Sequence, residues 1–185
     1  MRLLNFILII FLILTNGIKA DTEFQVLKNL KNGGNLIFIR HAYAPGGGDP
    51  DNFDINDCST QRNLNEEGRK QAKNIGNFFK KNLIPIDKVI SSEWCRCKET
   101  AKIAFKKFET KNFLNSFFSK KFSKNRTNQI KDLKKYIDKW EGNKNLVFVT
   151  HYVVISEALN YASSSGEIVI SNIRFKKIGN IEIEY

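Results

Sequence analysis

The chain contains two histidines, His41 and His151, and they occupy the same position in two matching segments. Residues 35–41 read NLIFIRH and residues 145–151 read NLVFVTH, so each copy runs Asn, Leu, aliphatic, Phe, aliphatic, polar, His. Imidazole can act as a nucleophile, carry a proton or donate a hydrogen bond to an oxyanion. Two histidines at equivalent points, in a chain that has no others, therefore predict a shared catalytic role.

Arginine is scarce in this chain and stands close to the histidine motifs. Lysines outnumber arginines 23 to 7, so an arginine marks a position where lysine does not suffice. Arg40 adjoins His41, Arg62 lies in the loop that follows, and Arg96 follows the second predicted strand. A planar guanidinium makes two parallel hydrogen bonds to phosphate oxygens, which an ammonium cannot do. The pattern predicts a phosphoryl pocket without a metal ion; for Arg62 a surface salt bridge is the alternative.

Short apolar runs alternate with helical patterns along the chain. Runs bounded by turn residues predict strands at residues 36–39, 87–93 and 146–149, and the tail 167–185 predicts one or two more. Apolar residues at helical spacing predict helices over residues 24–30, 65–82, 97–108, 129–140 and 153–162. Residues 111–128 are polar, basic and aromatic without a clear period, so they carry no structural prediction.

This alternation predicts the fold class and the place of the site. Strands that alternate with helices form an α/β fold, a mostly parallel sheet flanked by helices. Ligands bind beyond the carboxyl ends of such strands. His41 and His151 come just after predicted strands and Ser91–Ser92 lie at the carboxyl end of one, so we expect them in one cleft. The two serines are interpreted as packing and turn residues, because no nucleophile-elbow sequence surrounds them.

The first 20 residues have the layout of a signal peptide. Arg2 precedes the run Leu3–Leu14, which is apolar except for Asn5, and Ala20 stands at the predicted cleavage point. A run of twelve residues is short for a bilayer, which needs about 20. We therefore predict a signal peptide at residues 1–20, one domain at residues 21–185 and a periplasmic or secreted location. An uncleaved membrane anchor is the alternative.

Three cysteines are expected in an oxidising compartment, which allows one bridge and one free thiol. Cys95 and Cys97 are too close together for easy closure, so Cys58 is expected to pair with one of them. Three cysteines and two distant histidines match no familiar zinc spacing, and no cofactor is predicted.

The net charge of +11 reflects lysines spread along the whole chain. No long basic run is interleaved with regular aromatics, so nucleic acid is not a predicted partner. A phosphorylated small molecule or an envelope glycan is predicted instead, with no stable membrane span after cleavage.

Four segments together resemble the histidine phosphatase superfamily, also called phosphoglycerate mutase-like. They are IRHA at 39–42, LNEEGRKQA at 64–72, SSEWCRCKETA at 91–101 and VTHY at 149–152, in the family's order. The loop GGGDPDNFDINDCSTQRNL further resembles exported members that remove phosphate from lipopolysaccharide-core heptose. The resemblance implies the three-layer phosphoglycerate mutase-like sandwich and a phosphatase that needs no metal.

The resemblance also implies roles for particular residues. His41 would be the nucleophile that forms a phosphohistidine, Arg40 and Arg96 would hold the phosphoryl oxygens, and His151 would stabilise them in the transition state. Arg62, with two further residues of the first loop, Asp49 and Thr60, is predicted to bind the substrate. Neutral His41 is required for attack, so its protonation should set an acid limb in the rate profile.

The chain departs from the family at the proton donor. Many members carry an acidic residue after the second motif, whereas residues 111–131 contain no Asp or Glu. A general acid is worth about 10² to 10⁴ in rate when the leaving group is an alkoxide. Candidate donors are Asp49, Asp51, Asp54, Asp57 and Glu109. Alternatively, the substrate has a leaving group that needs little help, such as a phosphohistidine, an anhydride or a sugar 1-phosphate.

Other functions stay open at this point. A phosphate- or anionic-glycan-binding module without turnover fits the absent donor, and a phosphohistidine-protein phosphatase fits the short chain. A mutase is disfavoured because no capping insertion is evident and the chain is expected to be exported.

Overall fold

A computed structural model describes residues 24–185, so the predicted signal peptide at residues 1–20 lies outside the described residues. Within residues 24–185, no helix is both long and apolar enough to cross a membrane.

Six strands and five helices make up this part of the chain. The strands are β1 (Leu36–Arg40), β2 (Ile86–Ser91), β3 (Glu109–Thr110), β4 (Asn145–Thr150), β5 (Ile168–Ser171) and β6 (Lys177–Ile181). The helices are α1, which includes residues 24–32, α2 (Glu66–Lys81), α3 (Cys95–Phe105), α4 (Arg126–Ile137) and α5 (Tyr152–Leu159).

The strands form one sheet in the order β3-β2-β4-β1-β5-β6. The first four of these run parallel, whereas β5 is antiparallel to β1, and β6 is antiparallel to β5. The matching segments are direct neighbours in register, with Ile37 opposite Val147 and Arg40 opposite Thr150. Because their last residues are paired, the residues that follow them emerge side by side at one edge of the sheet.

The sheet is buried on both faces, which explains why its central strands are apolar without alternation. Ile37 and Ile39 of β1 belong to one core cluster, together with apolar side chains of α1, α2 and α3. Leu36 and Phe38 belong to the opposite cluster, with side chains of α4 and α5. The predicted α/β class and its three-layer arrangement are thus observed.

Local signals in the sequence account for most element boundaries. The helix expected from about Asn65 begins at Glu66, and the Asn65 side chain caps it by accepting a hydrogen bond from the Gly68 N–H at 2.9 Å. The two-residue strand β3 and the packing of residues 111–125 were not predicted. That segment is held by its aromatic and aliphatic side chains, because Phe113, Leu114 and Phe117 enter the second core cluster.

Cys58 forms the disulfide with Cys95, and Cys97 is a buried free thiol. The structure thereby selects one of the two pairings left open by the sequence. The bridge joins the loop after β1 to the first turn of α3, directly before Arg96. Closing a loop with a sequence separation of 37 residues stabilises a fold by about 3 to 4 kcal/mol in the chain-entropy treatment.

Candidate active site

His41 follows β1 and is 2% exposed. Its Nδ1 lies 2.9 Å from the carbonyl oxygen of Ala42. A carbonyl only accepts, so Nδ1 carries the hydrogen and Nε2 carries a lone pair. Arg96 donates its Nε–H to this Nε2 at 3.1 Å. The imidazole is therefore held as the tautomer whose Nε2 lone pair faces the cleft and accepts the Arg96 hydrogen bond.

His151 follows β4, and the two imidazole rings lie 5.4 Å apart at an interplanar angle of 68°. The Nε2 of His151 is 2.9 Å from the Ser92 hydroxyl oxygen, and its Nδ1 is 3.4 Å from Nη2 of Arg96. Because guanidinium only donates, Nδ1 is the acceptor and Nε2 is the donor. The Ser92 hydroxyl then donates to Oδ1 of Asn115 at 3.0 Å. Ser92 is thus a positioning residue for His151 and not only the packing residue that the sequence suggested.

Arg96 connects both histidines to the first loop. Its side chain is 3% exposed and makes a two-pronged contact with Asp49, with Nη1–Oδ1 at 2.7 Å and Nη2–Oδ2 at 3.2 Å. Its Nε is directed to His41. Such a guanidinium is fixed in its plane by the carboxylate on one side, so its orientation toward the cleft is set before any ligand binds.

Asp49 is the fixed counter-charge of the site. It also accepts hydrogen bonds from the Arg62 backbone N–H and the Trp94 indole N–H, both at 3.1 Å. Burial by itself raises the pKa of this carboxyl, but the hydrogen bonds and positive charge of Arg96 outweigh it and hold the pKa below its usual range. Asp49 is consequently ionised at neutral pH, which suits an orienting group and not a proton donor.

Arg40 and Arg62 supply donors that are still unused. Arg40 Nη1 donates to the Ser163 carbonyl at 2.8 Å, and Arg62 Nη1 donates to the Ala44 carbonyl. The Nε–H of each arginine is buried without a hydrogen-bond partner among the described residues. A buried unpaired donor costs about 1–3 kcal/mol. An anionic oxygen that pairs with these groups would recover that free energy.

Both imidazoles are held neutral. Burial lowers the pKa of His41 well below its ordinary value, and the nearby Arg96 charge lowers it further. Burial followed by Arg96 has the same effect on the pKa of His151. Neutral imidazole is the form that attacks phosphorus, so the site keeps His41 in its nucleophilic state.

Lowering the pH from 7 to 5 is expected to reduce the free energy of unfolding. The unfolded chain protonates its imidazoles near pH 6.5, whereas the folded chain keeps them neutral to lower pH. The unfolded state then binds more protons, and stability falls by up to about 1.4 kcal/mol per histidine per pH unit. Urea unfolding of wild type and His151→Gln across this range checks it. The variant should lose roughly half of the slope, and an unchanged slope would contradict the assignment.

A cavity of about 630 Å³ opens over these groups. His41, His151, Arg40, Arg62, Arg96 and Asp49 all line it. Further lining residues include Asp51 and Phe53 of the first loop, Tyr152 of α5, and the segment with Ser116 and residues 118–122. Six of the seven predicted site residues therefore meet in one cavity.

Thr60 is the exception, and its expected substrate contact is corrected. Its hydroxyl donates to the Asp57 carbonyl at 2.8 Å and accepts from the Asp54 N–H at 2.9 Å. Thr60 belongs to a short 3₁₀ turn, residues Cys58–Thr60, and does not line the cavity. The hydroxyl closes the loop, so it is used for local structure.

The candidate proton donors lie in different parts of the structure, and few of them reach the cavity. Asp51 lines the cavity, and Asp54 lines a neighbouring one. Asp57 accepts from the Ser59 N–H at the start of the 3₁₀ turn. Glu109 lies in β3, beside a third hollow away from the histidines. With Asp49 held by Arg96, Asp51 is the remaining cavity carboxylate among those proposed.

Sequence reasoning missed the aromatic and basic residues of the cavity wall. Trp94 could have been found, since it lies between Ser92 and Arg96 in the second motif. Residues 116–122 gave no signal, because their place depends on the packing of Phe117 and Phe122 and not on a period. Within residues 24–185, no three His, Cys, Asp or Glu side chains are grouped as metal ligands would be.

The family model of the histidine phosphatase superfamily (branch 1) matches residues 36–116. No curated protein sequence is significantly similar to the chain.

Solved structures share the fold at low sequence identity. The protein TTHB049 of Thermus thermophilus has a TM-score of 0.59 at 13% identity, over 80% of this chain and 99% of that one. The product of the open reading frame Rv3214 of Mycobacterium tuberculosis has 0.56 at 15%, over 81% and 96%. The protein histidine phosphatase SixA, complexed with tungstate, has 0.55 at 14%, over 81% and 96%.

Proposed function

We propose that the chain is a member of the histidine phosphatase superfamily, whose family model matches residues 36–116, and that it hydrolyses a phosphomonoester through a phosphohistidine intermediate on His41. The observation that carries this proposal is the state of His41. Its Nε2 is unprotonated, because Nδ1 is bonded to a carbonyl, and it faces Arg96 inside a cavity that contains two further arginines.

In the first step, the Nε2 lone pair of His41 gives up its hydrogen bond from Arg96 and attacks phosphorus, and the bond between phosphorus and the leaving oxygen breaks. Arg40, Arg62 and Arg96 hold the other phosphoryl oxygens, and His151 donates to the same oxygens as charge develops. Phosphoryl transfer depends mainly on such positioning and charge stabilisation. To donate into the cavity, His151 must adopt a protonated or altered tautomeric state, since its Nε2 points to Ser92 in this structure.

In the second step, water attacks the phosphohistidine and the P–N bond breaks. Nε2 of His41 regains its lone pair, inorganic phosphate leaves, and one proton of the water passes to the carboxylate that protonated the leaving oxygen in the first step. The Ala42 carbonyl keeps the hydrogen on Nδ1 throughout, so the same tautomer is ready for the next cycle.

Asp51 is the proposed general acid for the leaving oxygen. We expect Asp51→Asn to lower kcat/KM for an alkyl phosphate by about 10² or more, and to change hydrolysis of p-nitrophenyl phosphate little. The alkoxide needs a proton as it leaves, whereas nitrophenolate is stable without one. Rates measured across a series of leaving groups check this, with Asp54→Asn as the matched control. An equal loss for every leaving group would contradict the role.

We further propose that the enzyme is exported and acts on a phosphorylated small molecule or an envelope glycan. The signal-peptide layout of residues 1–20 supports export, and the Cys58–Cys95 disulfide is typical of an oxidising compartment. A signal-dependent fusion of residues 1–20 to a periplasmic reporter tests this; a reporter retained in the cytoplasm would sink the export proposal.

A second candidate is hydrolysis of phosphohistidine on a protein. Asp51 is the one candidate proton donor that lines the cavity without being held by Arg96. A scarcity of proton donors favours this substrate, because an imidazole leaving group needs little acid catalysis. The fold-sharing SixA is named a protein histidine phosphatase. Rapid hydrolysis of a phosphohistidine peptide that is unaffected by Asp51→Asn would favour this candidate over a phosphomonoester.

Phosphate release from p-nitrophenyl phosphate in the presence of a chelator tests the proposed chemistry. We expect chelator-resistant turnover by the purified protein. Negligible release, together with tight binding of inorganic phosphate, would instead indicate a phosphate-binding module without turnover.

A further inference from the structure

We infer that the substrate carries a second phosphate group and that Lys120 and Lys121 bind it. This inference rests on the proposed phosphatase function and specifies its substrate class. Neither lysine belongs to the motifs at the strand ends, yet both line the same cavity as His41.

The loop that carries the lysines is anchored at both ends. Before it, Phe117 is buried in the core cluster of α4 and α5. After it, the Phe122 ring packs edge-on against Phe53 and Trp94, at centroid distances of 5.5 and 5.6 Å. The Ser119 carbonyl accepts hydrogen bonds from the N–H groups of residues 122 and 123, both at 3.0 Å. The intervening residues 118–121 are thus held over the cavity as a closed turn.

Lys121 is placed at the cavity wall by the ring beside it. Its ammonium lies 5.6 Å from the centroid of Phe122, whose own position Trp94 fixes. Trp94 in turn packs 5.4 Å from His151. A continuous row of rings therefore links the lysine turn to the catalytic histidine pair. Neither Lys120 nor Lys121 forms an ion pair with a carboxylate of the described residues.

The charge of the cavity exceeds what one phosphate ester requires. Five cationic side chains and two carboxylates line it, while both histidines are neutral. Asp49 is paired with Arg96, so Asp51 alone opposes the remaining four cations. A phosphomonoester carries about −1.5 to −2 charges at pH 7, which Arg40 and Arg62 already balance. With Asp51 counted, a net charge of about +1 remains at the two lysines for a further anion, and an ammonium binds phosphate as a point charge.

A series of inorganic phosphates tests this inference. Orthophosphate, pyrophosphate and tripolyphosphate are titrated against the protein, and binding is followed by the fluorescence of Trp94 in a Trp140→Phe background. We expect at least one of the longer anions to bind about tenfold more tightly than orthophosphate. Lys120→Gln/Lys121→Gln should reduce that ratio to about threefold or less, and added salt should also reduce it.

The matched control is Lys124→Gln/Lys131→Gln, which removes two exposed lysines that do not line the cavity. It should keep the wild-type ratio. The inference is overturned if the lysine-turn variant keeps the ratio, if both double variants lose it equally, or if wild type shows no preference. Since the titration requires no turnover, its result is separate from that of the phosphatase assay. An inactive protein that retains the lysine-dependent preference would refute the proposed catalysis and leave the anion site standing.

Discussion

His41→Ala is expected to lower kcat for p-nitrophenyl phosphate by at least about 10⁴-fold, as removal of a covalent nucleophile does elsewhere. Nε2 of His41 is the atom that forms the bond to phosphorus, and no other imidazole can replace it. His151 is held 5.4 Å away between ring centroids, with its Nε2 directed to Ser92. Steady-state rates of purified wild type and variant, both with chelator present, check this expectation.

Loss of activity in His41→Ala must be distinguished from loss of the folded structure. His41 also lies between the sheet and Arg96, so circular dichroism and thermal unfolding must show that the variant is folded. A folded variant that retains more than about a tenth of wild-type kcat would contradict nucleophilic catalysis by His41.

Arg96→Lys is expected to lower kcat/KM by about 10² to 10³, although the positive charge is kept. The guanidinium makes directed contacts at once with Asp49, with Nε2 of His41 and with Nδ1 of His151. An ammonium cannot reproduce this planar arrangement. Loss of the Asp49 contact also leaves a carboxylate in the cavity to repel the substrate phosphate, so part of the effect should fall on KM.

Arg126→Lys is the matched control, because Arg126 also forms an ion pair with a carboxylate, that of Glu157, but neither residue lines the cavity. It should keep kcat/KM within about twofold, as expected for an exposed pair. Equal, small effects of both substitutions would show that Arg96 acts as a diffuse charge and not as an oriented donor.

The fold could be predicted from the sequence because its central strands carry their own signal. The runs at residues 36–39 and 146–149 are apolar and bounded by polar residues, and they are neighbouring parallel strands. β3 could not be predicted, since two exposed residues, Glu109 and Thr110, give no period. β3 pairs with the edge of β2, and that edge exists only once the rest of the sheet has formed.

The site residues that follow the ends of strands could be predicted from the sequence. His41, Arg40 and His151 follow from the edge of the sheet, and Arg96 follows from its place after β2. The predicted α/β fold is confirmed, and the family model of the histidine phosphatase superfamily matches residues 36–116, which include three of the four segments that carry the resemblance. Thr60 was misplaced because its distance in sequence from Arg62 says nothing about the local turn that uses its hydroxyl. The lysine turn escaped prediction because only the burial of its aromatic anchors brings it over the cavity.

The most direct test of a phosphohistidine on His41 is to trap it. The protein is mixed rapidly with an aryl phosphate, quenched in alkali, which preserves phosphohistidine, and digested for peptide mass spectrometry. We expect one added phosphoryl group on the peptide that contains His41, formed within the first turnover and absent from His41→Ala. A phosphoryl group found on another residue, or none found while product is released, would contradict it.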